Sequence, residues 1–327
     1  MPLRLIRNTA ILLKLEGTAT YGVDSVPTGV ANAMLVSSLS INPINAQNVD
    51  RDLIRPYLGG SEQLLGTRYV EMGFDIEMAG SGTVATAPAW APALIACGFA
   101  QTLTATVRAD YLPISTGFDS ATIYWHDDGV FHKATGCRGT ATFSMKVGER
   151  PVISFKFTGI YNTPTAVANP AVTLTAFRVP QVVTDANTQD VTMGGTHATA
   201  TAPLIAGGTV YPSQGLELDL GNSVNFTALL GGETIDITQR SVTGKITLDL
   251  SAAQEVALMA IVEAGTLQSV GINHGTVANV KTLLWLPSVQ LINPAKAEAN
   301  GKRLVSFDLR VLPLTGNDEL RLVTSFV

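Results

Sequence analysis

Polar and apolar residues alternate with a period of two along much of this chain, and stretches with a helical period are few. In residues 71–78, Met72, Phe74, Ile76 and Met78 alternate with Glu71, Gly73, Asp75 and Glu77. Phe143, Met145 and Val147 alternate with Thr142, Ser144 and Lys146, and Ile153, Phe155 and Phe157 with Ser154, Lys156 and Thr158. One apolar and one polar face mark antiparallel strands buried on one side. Residues 124–133 read as a hairpin turning at Asp128-Gly129, which sets Trp125 opposite His132 and His126 opposite Phe131. Two helices interrupt the strands. Residues 91–97 have Pro92 near the start and Gly98 just past the end, and Ser251 with Gln254 forms a capping box that opens a helix over Ala252–Ala264, stopped by Gly265.

The second half of the chain repeats the first. Leu58-Gly59-Gly60 matches Leu230-Gly231-Gly232 at a shift of 172 positions, and the same shift sets Arg68 on Arg240, Val70 on Val242 and Phe74 on Ile246. Each half then holds a short helix, a strand with Trp125 or Trp285, and a similar closing strand, Val152-Ile153-Ser154-Phe155 against Leu304-Val305-Ser306-Phe307. This order predicts a duplication with units at 1–175 and 176–327. Residues 162–170 and 194–208, rich in small and turn-forming residues, read as loops or linkers. Residues 42–57 read as an insertion confined to the first half. Its tip mixes Asp50, Arg51, Asp52 and Arg55 with Leu53, Ile54 and Tyr57, which suits a loop that reaches a neighbouring subunit.

Composition narrows the function classes. Apolar residues make up 46% of the 327 and charged residues only 14%, so much of the surface is set to be buried, some of it between subunits. A net charge of −5 argues against binding nucleic acid through a basic footprint, though not against letting it pass. The two cysteines, Cys97 and Cys137, give neither a disulfide framework nor a metal cluster and read as buried thiols. Residues 1–15 carry no apolar run long enough for a signal peptide or membrane span. The hairpin sets His126 and His132 on opposite faces, so the two cannot share a metal. No hydrolase, zinc-protease or phosphate-loop motif occurs, and Glu71, Asp75 and Glu77 read as a solvated strand face rather than paired catalytic acids. The expectation is a protein with no cofactor and no catalysis.

An ordered set of segments carries a family resemblance. It runs from Glu16-Gly17-Thr18-Ala19-Thr20-Tyr21-Gly22 through Leu39-Ser40-Ile41-Asn42-Pro43 and Asp50-Arg51-Asp52-Leu53-Ile54-Arg55-Pro56-Tyr57 to Phe74-Asp75-Ile76-Glu77 and the helix at 91–97. Leu216-Glu217-Leu218-Asp219-Leu220-Gly221-Asn222 and Thr238-Gln239-Arg240 continue it in the second half. The set resembles the major tail tube proteins of long, flexible-tailed bacteriophages. The resemblance implies a mainly β chain of two tandem β-sandwich or half-barrel tube domains, each with a short flanking α-helix. It implies subunits that form rings with a continuous inner barrel, stacked into a conduit for the genome, in a virion tail assembled in the host cytoplasm. Partners would be the chain itself, tail terminator, tape-measure and distal tail proteins, and viral DNA in transit without specific binding, with no membrane involved. If each half gives about four strands to the inner wall, three chains per ring leave room for a duplex. The lumen would then be lined by Glu71, Asp75 and Glu77 and, from the second copy, Thr243, Lys245, Thr247 and Asp249. A receptor-binding or adhesive virion protein is the main rival; aromatics at only 6%, mostly at apolar strand positions, speak against sugar gripping, and an outer-membrane barrel would need aromatic girdles.

Overall fold

The computed structural model describes residues 3–17, 19–198 and 204–327. The middle of the small-residue run at 194–208 and Thr18 of the 16–22 segment thus lie outside the described residues. Eight strands build the central wall: β1 (Ser37–Asp50), β2 (Gln63–Glu77), β3 (Val130–Lys146), β4 (Val152–Tyr161), β5 (Ser213–Asp219), β6 (Thr243–Leu248), β7 (Thr282–Ala299) and β8 (Lys302–Val311). They hydrogen-bond antiparallel in the order β1-β2-β4-β3-β5-β6-β8-β7. The first four and the last four therefore repeat one arrangement. The equivalence holds in three dimensions, with a shift of 172 in one strand and 152 in its neighbour: Phe74 faces Phe155 across the ladder as Ile246 faces Phe307.

The expectation of two β-sandwich or half-barrel domains is overturned. Eighteen strands from both halves belong to one hydrogen-bonded sheet, which is open, neither closed on itself nor strongly curled. The reason is the length of β3. Its first part pairs with the strand Ala121–Asp127 and its last part with β5, so the ladder passes from one half into the other without a break. One hydrophobic core follows it, taking Phe74, Phe155 and Phe157 from the first half and Leu216, Leu218 and Phe307 from the second.

The wall strands bury their apolar rows as the alternation requires. Val70, Met72, Phe74 and Ile76 are all buried, and Phe74 lies 5.8 Å and 5.6 Å from the rings of Phe155 and Phe157. Behind the wall sit helices α1 (Ala91–Ile95) and α2 (Ala252–Ala264). The Ser251 cap, the Gln254 return bond and the left-handed Gly265 are all present in α2. The hairpin at 124–133 has the expected register, with Trp125 stacked on His132 at 3.9 Å and the left-handed pair Asp128-Gly129 at its tip.

Three readings need correction. Residues 42–50 are not loop but the outer part of β1; only residues 51–62 connect it to β2. The bulges of an edge strand accommodate Pro43, which would break an inner strand. The second half does hold a counterpart, a shorter hairpin of strands Asn222–Leu229 and Gly232–Arg240. Trp125 and Trp285 are not equivalent, since Trp285 lies in the wall strand β7 and Trp125 in the strand that pairs with β3. Within 194–208, Thr196–Ala198 pairs with Leu204–Ala206 rather than forming plain loop.

Candidate functional site: one polar face and two free edges

Short hydroxyl residues and charges share the exposed face of the wall. Glu71 and Asp75 of β2 lie opposite Thr158 and Ser154 of β4, and Gly73 lies opposite Lys156. The Glu77 carboxylate accepts a 2.8 Å bond from Arg150. On β6, Lys245 is flanked in register by Glu217 of β5 and Asp308 of β8, and Thr247 by Ser306. Lys146 reaches Glu217 at 2.6 Å, and that hydrogen bond pushes its amino group above the usual lysine range. Asp249 falls just past the end of β6, where it pairs with the Lys302 amino group. The structure therefore places Glu71, Asp75, Glu77, Thr243, Lys245 and Thr247 on one face, with Asp249 at its margin. On this face Lys245 sits between two acids, and Glu71, Asp75 and Lys156 are set beside hydroxyl residues or glycine, so a polyanion meets no continuous basic strip.

At each end of the wall a strand has only one partner. Among the described residues the outer edge of β1 is unpaired, and beyond Gln290 the strand β7 pairs only with β8. The β1–β2 hairpin carries exposed Ile44, Val49, Leu64 and Leu65. At its tip, Glu62 holds Arg51 and, at 3.6 Å, Arg55, while Asp50 accepts from Gln63. Leu53, Ile54 and Tyr57 are exposed there, Ile54 completely. Unpaired strand edges are templates for another chain, and those edges are the feature of this molecule that asks for a partner.

Sequence reasoning missed the polar pins that hold the layers together. The buried Glu16 carboxylate accepts four bonds of 2.6–2.8 Å, from Ser120, Thr122 and the Gly22 and Gly136 amides. The 16–22 segment thus owes its residue types to docking the N-terminal strand, Thr9–Leu15, and the loop after it. Asp110 holds both Arg108 at 2.7 Å and Arg321 at 3.2 Å, and Arg240 meets Glu319 at 2.5 Å. Apart from Arg108 and Gly22, these partners lie 79 or more positions away and leave no local signal. Cys97 and Cys137 are free and buried, and burial pushes both thiols up. His126 and His132 are pushed down by desolvation, as is His274, whose ring bonds Thr188 and the Gln181 carbonyl. Among the described residues no three ligating side chains converge on a point, and no helix is long and apolar enough to cross a membrane.

The described residues thus form an open antiparallel wall with one polar face, a continuous core behind it and two unpaired edges. A family model described as phage tail tube protein matches residues 7–311. The chain belongs to that family: it is a structural, non-catalytic component of the virion that works together with other tail proteins. No curated protein matches the chain.

Proposed function

We propose that three copies of this chain close into a ring whose inner wall is a continuous β-barrel, and that stacked rings form the conduit through which the genome passes. The observation that carries this reading is the repeated four-strand order within one open sheet, ending in two free edges. In it the units 1–175 and 176–327 act as two covalently joined sixths of the ring. Three chains supply about 24 wall strands, and at ~4.8 Å spacing and ~40° tilt the backbone circle measures roughly 48 Å across. Side chains reduce the opening to roughly 35–40 Å, which passes a duplex of about 20 Å. Such a barrel needs only about 15° of turn between neighbouring strands, in keeping with a sheet that is not strongly curled on its own.

Glu71, Asp75, Glu77, Thr243, Lys245 and Thr247, with Asp249, then line the lumen, where acids and hydroxyls let DNA slide instead of holding its phosphates. The tip residues Asp50, Arg51, Asp52, Leu53, Ile54, Arg55 and Tyr57 reach a neighbouring subunit or ring. Assembly takes place in the host cytoplasm, with terminator, tape-measure and distal tail proteins at or within the tube. No metal or cofactor takes part.

Electron cryo-microscopy of purified assemblies tests the reading. The expected result is stacked rings with threefold symmetry and the polar face of β2 and β6 turned inward. Six chains per ring, or Phe74 and Ile76 facing the channel, would overturn it.

A further inference from the structure

Within the chain, the first half is joined to the second through β3 and β5, with Gly215 opposite Lys146, Leu216 opposite Met145, Glu217 opposite Ser144, Leu218 opposite Phe143 and Asp219 opposite Thr142. The free edges are the other copies of these two strands. Ser40 of β1 faces Gly73 as Glu217 of β5 faces Lys245, and Gly73 and Lys245 are 172 positions apart. Ala297 of β7 faces Leu304 as Ser144 of β3 faces Val152, and Leu304 and Val152 begin the matching closing strands. So β1 carries an unused copy of the β5 edge, and β7 an unused copy of the β3 edge.

We infer that the β7 edge of one copy pairs antiparallel with the β1 edge of the next in the register of the in-chain junction, with Ala297 opposite Ser40. The ladder then runs from Ser38 opposite Ala299 to Asn42 opposite Ala295. This specifies the contact left open by the ring reading, on which it rests.

Three features of the edges support the register. Ser38 has a left-handed backbone (φ 53°), as Gly215 does (φ 110°), and each sits at a bulge that begins the matched segment. Pro43 and Pro294 fall just beyond the opposite end of the five pairs, where their missing N–H groups stop a ladder instead of interrupting it. The apolar row is filled as well. Leu39 and Ile41 take the places of Leu216 and Leu218, and they meet the alkyl stems of Glu298 and Lys296 in place of Met145 and Phe143. Charges at this point keep a single copy from random edge pairing, whereas the in-chain junction, never exposed after folding, is free to be wholly apolar.

The contact extends outward along the same equivalence. The second-half hairpin docks on its own first half: Phe226 stacks on Tyr69 at 5.1 Å, Arg138 pairs with Asp236 at 3.0 Å, and the Ile235 amide donates to Tyr21 at 2.6 Å. Its counterpart, the β1–β2 hairpin with Val49, Leu64 and Leu65 exposed, finds no such surface in its own chain. The second half of the next copy supplies it.

The test is a double variant, Ser40→Cys with Ala297→Cys, assembled into tubes and oxidised. Directly opposed positions come within disulfide reach, and diagonal ones do not. The expected product on a non-reducing gel is a covalent ladder that stops at three chains. Ser40→Cys with Ala295→Cys or Ala299→Cys, on the same face but two residues out of register, should stay largely monomeric. Stronger cross-linking of either control would overturn the register, whereas a ladder from the Ser40–Ala297 pair that stops at another number would overturn the three-chain ring and leave the register standing. Hydrogen exchange on the unmodified protein gives a second readout: the amides at 38–42 and 295–299 that point away from β2 and β8 should exchange fast in the monomer and slowly in tubes. Tubes that form while these amides stay unprotected refute this contact yet leave the tube reading standing. Absence of any ring or tube from the unmodified protein under electron microscopy refutes the tube reading itself.

Discussion

Helices α1 and α2 follow equivalent wall strands, yet α1 buries three of its five residues and the longer α2 only Leu258. In α1, Ala93 and Leu94 are 0% exposed, whereas Val256 on α2 is 71% exposed. The difference lies in what each half is given as cover. The first half receives the Thr9–Leu15 strand and the second-half hairpin, whose Asn222 side chain bonds the Cys97 carbonyl at 2.7 Å just past α1. The second half has no third copy behind it in the same chain. Equivalent positions thus carry interior residues where the chain itself supplies cover, and surface residues where it does not.

The largest contrast is expected at the junction itself. Leu218→Ala should cost about 2–5 kcal/mol in urea unfolding of the monomer, the usual range for a buried leucine. Ile41→Ala, at the matching edge position and only half-buried against the core, should cost clearly less there, about 1–2 kcal/mol, and should instead shorten or abolish tubes seen by microscopy. Equal monomer losses from the two would break the equivalence.

Next comes the hairpin anchor. Arg138, held by Asp236 and the Ile235 and Phe118 carbonyls, should cost about 1.5–3 kcal/mol when replaced by alanine, as charge-assisted bonds do. Arg51→Ala, at an exposed pair with Glu62, should stay within about 1 kcal/mol. A smaller loss, about 1 kcal/mol, is expected of Ser251→Ala, which removes the cap of α2; α1 has no side-chain cap to lose.

The smallest effect is a pH slope. His197 is pushed down to about 4 from 6.5, chiefly by desolvation and further by Arg321 and Arg108. Its folded state holds the neutral ring, so its contribution is full above the unfolded value and is lost as pH falls from about 6.5 toward 4. Unfolding midpoints measured across that window should flatten in His197→Phe relative to the unmodified chain. An unchanged slope would remove His197 as its source.

Local pattern was readable at many points. The alternation in residues 71–78, 142–147 and 153–158, the turn at Asp128-Gly129 and the capped α2 each follow from neighbours a few residues apart. Asn- and Pro-rich residues 42–50 did not look like strand, because an edge strand is held by pairing with β2 and not by burying an apolar row of its own. The polar residues of the wall were found as a face, since a period of two fixes which side chains go together; their cross-strand company, Lys245 between Glu217 and Asp308, was not.

By itself, then, the sequence determined which residues turn inward, where the chain turns, and that one arrangement occurs twice. A one-sided strand has the same pattern whether its neighbour comes from its own half, the other half or another chain. Only the tertiary structure decided that β3 passes the ladder on to β5, making one open wall from what read as two closed domains. Hydrogen bonds along a strand edge are made by the backbone, which every residue except proline shares, so the choice of partner leaves little trace in the sequence.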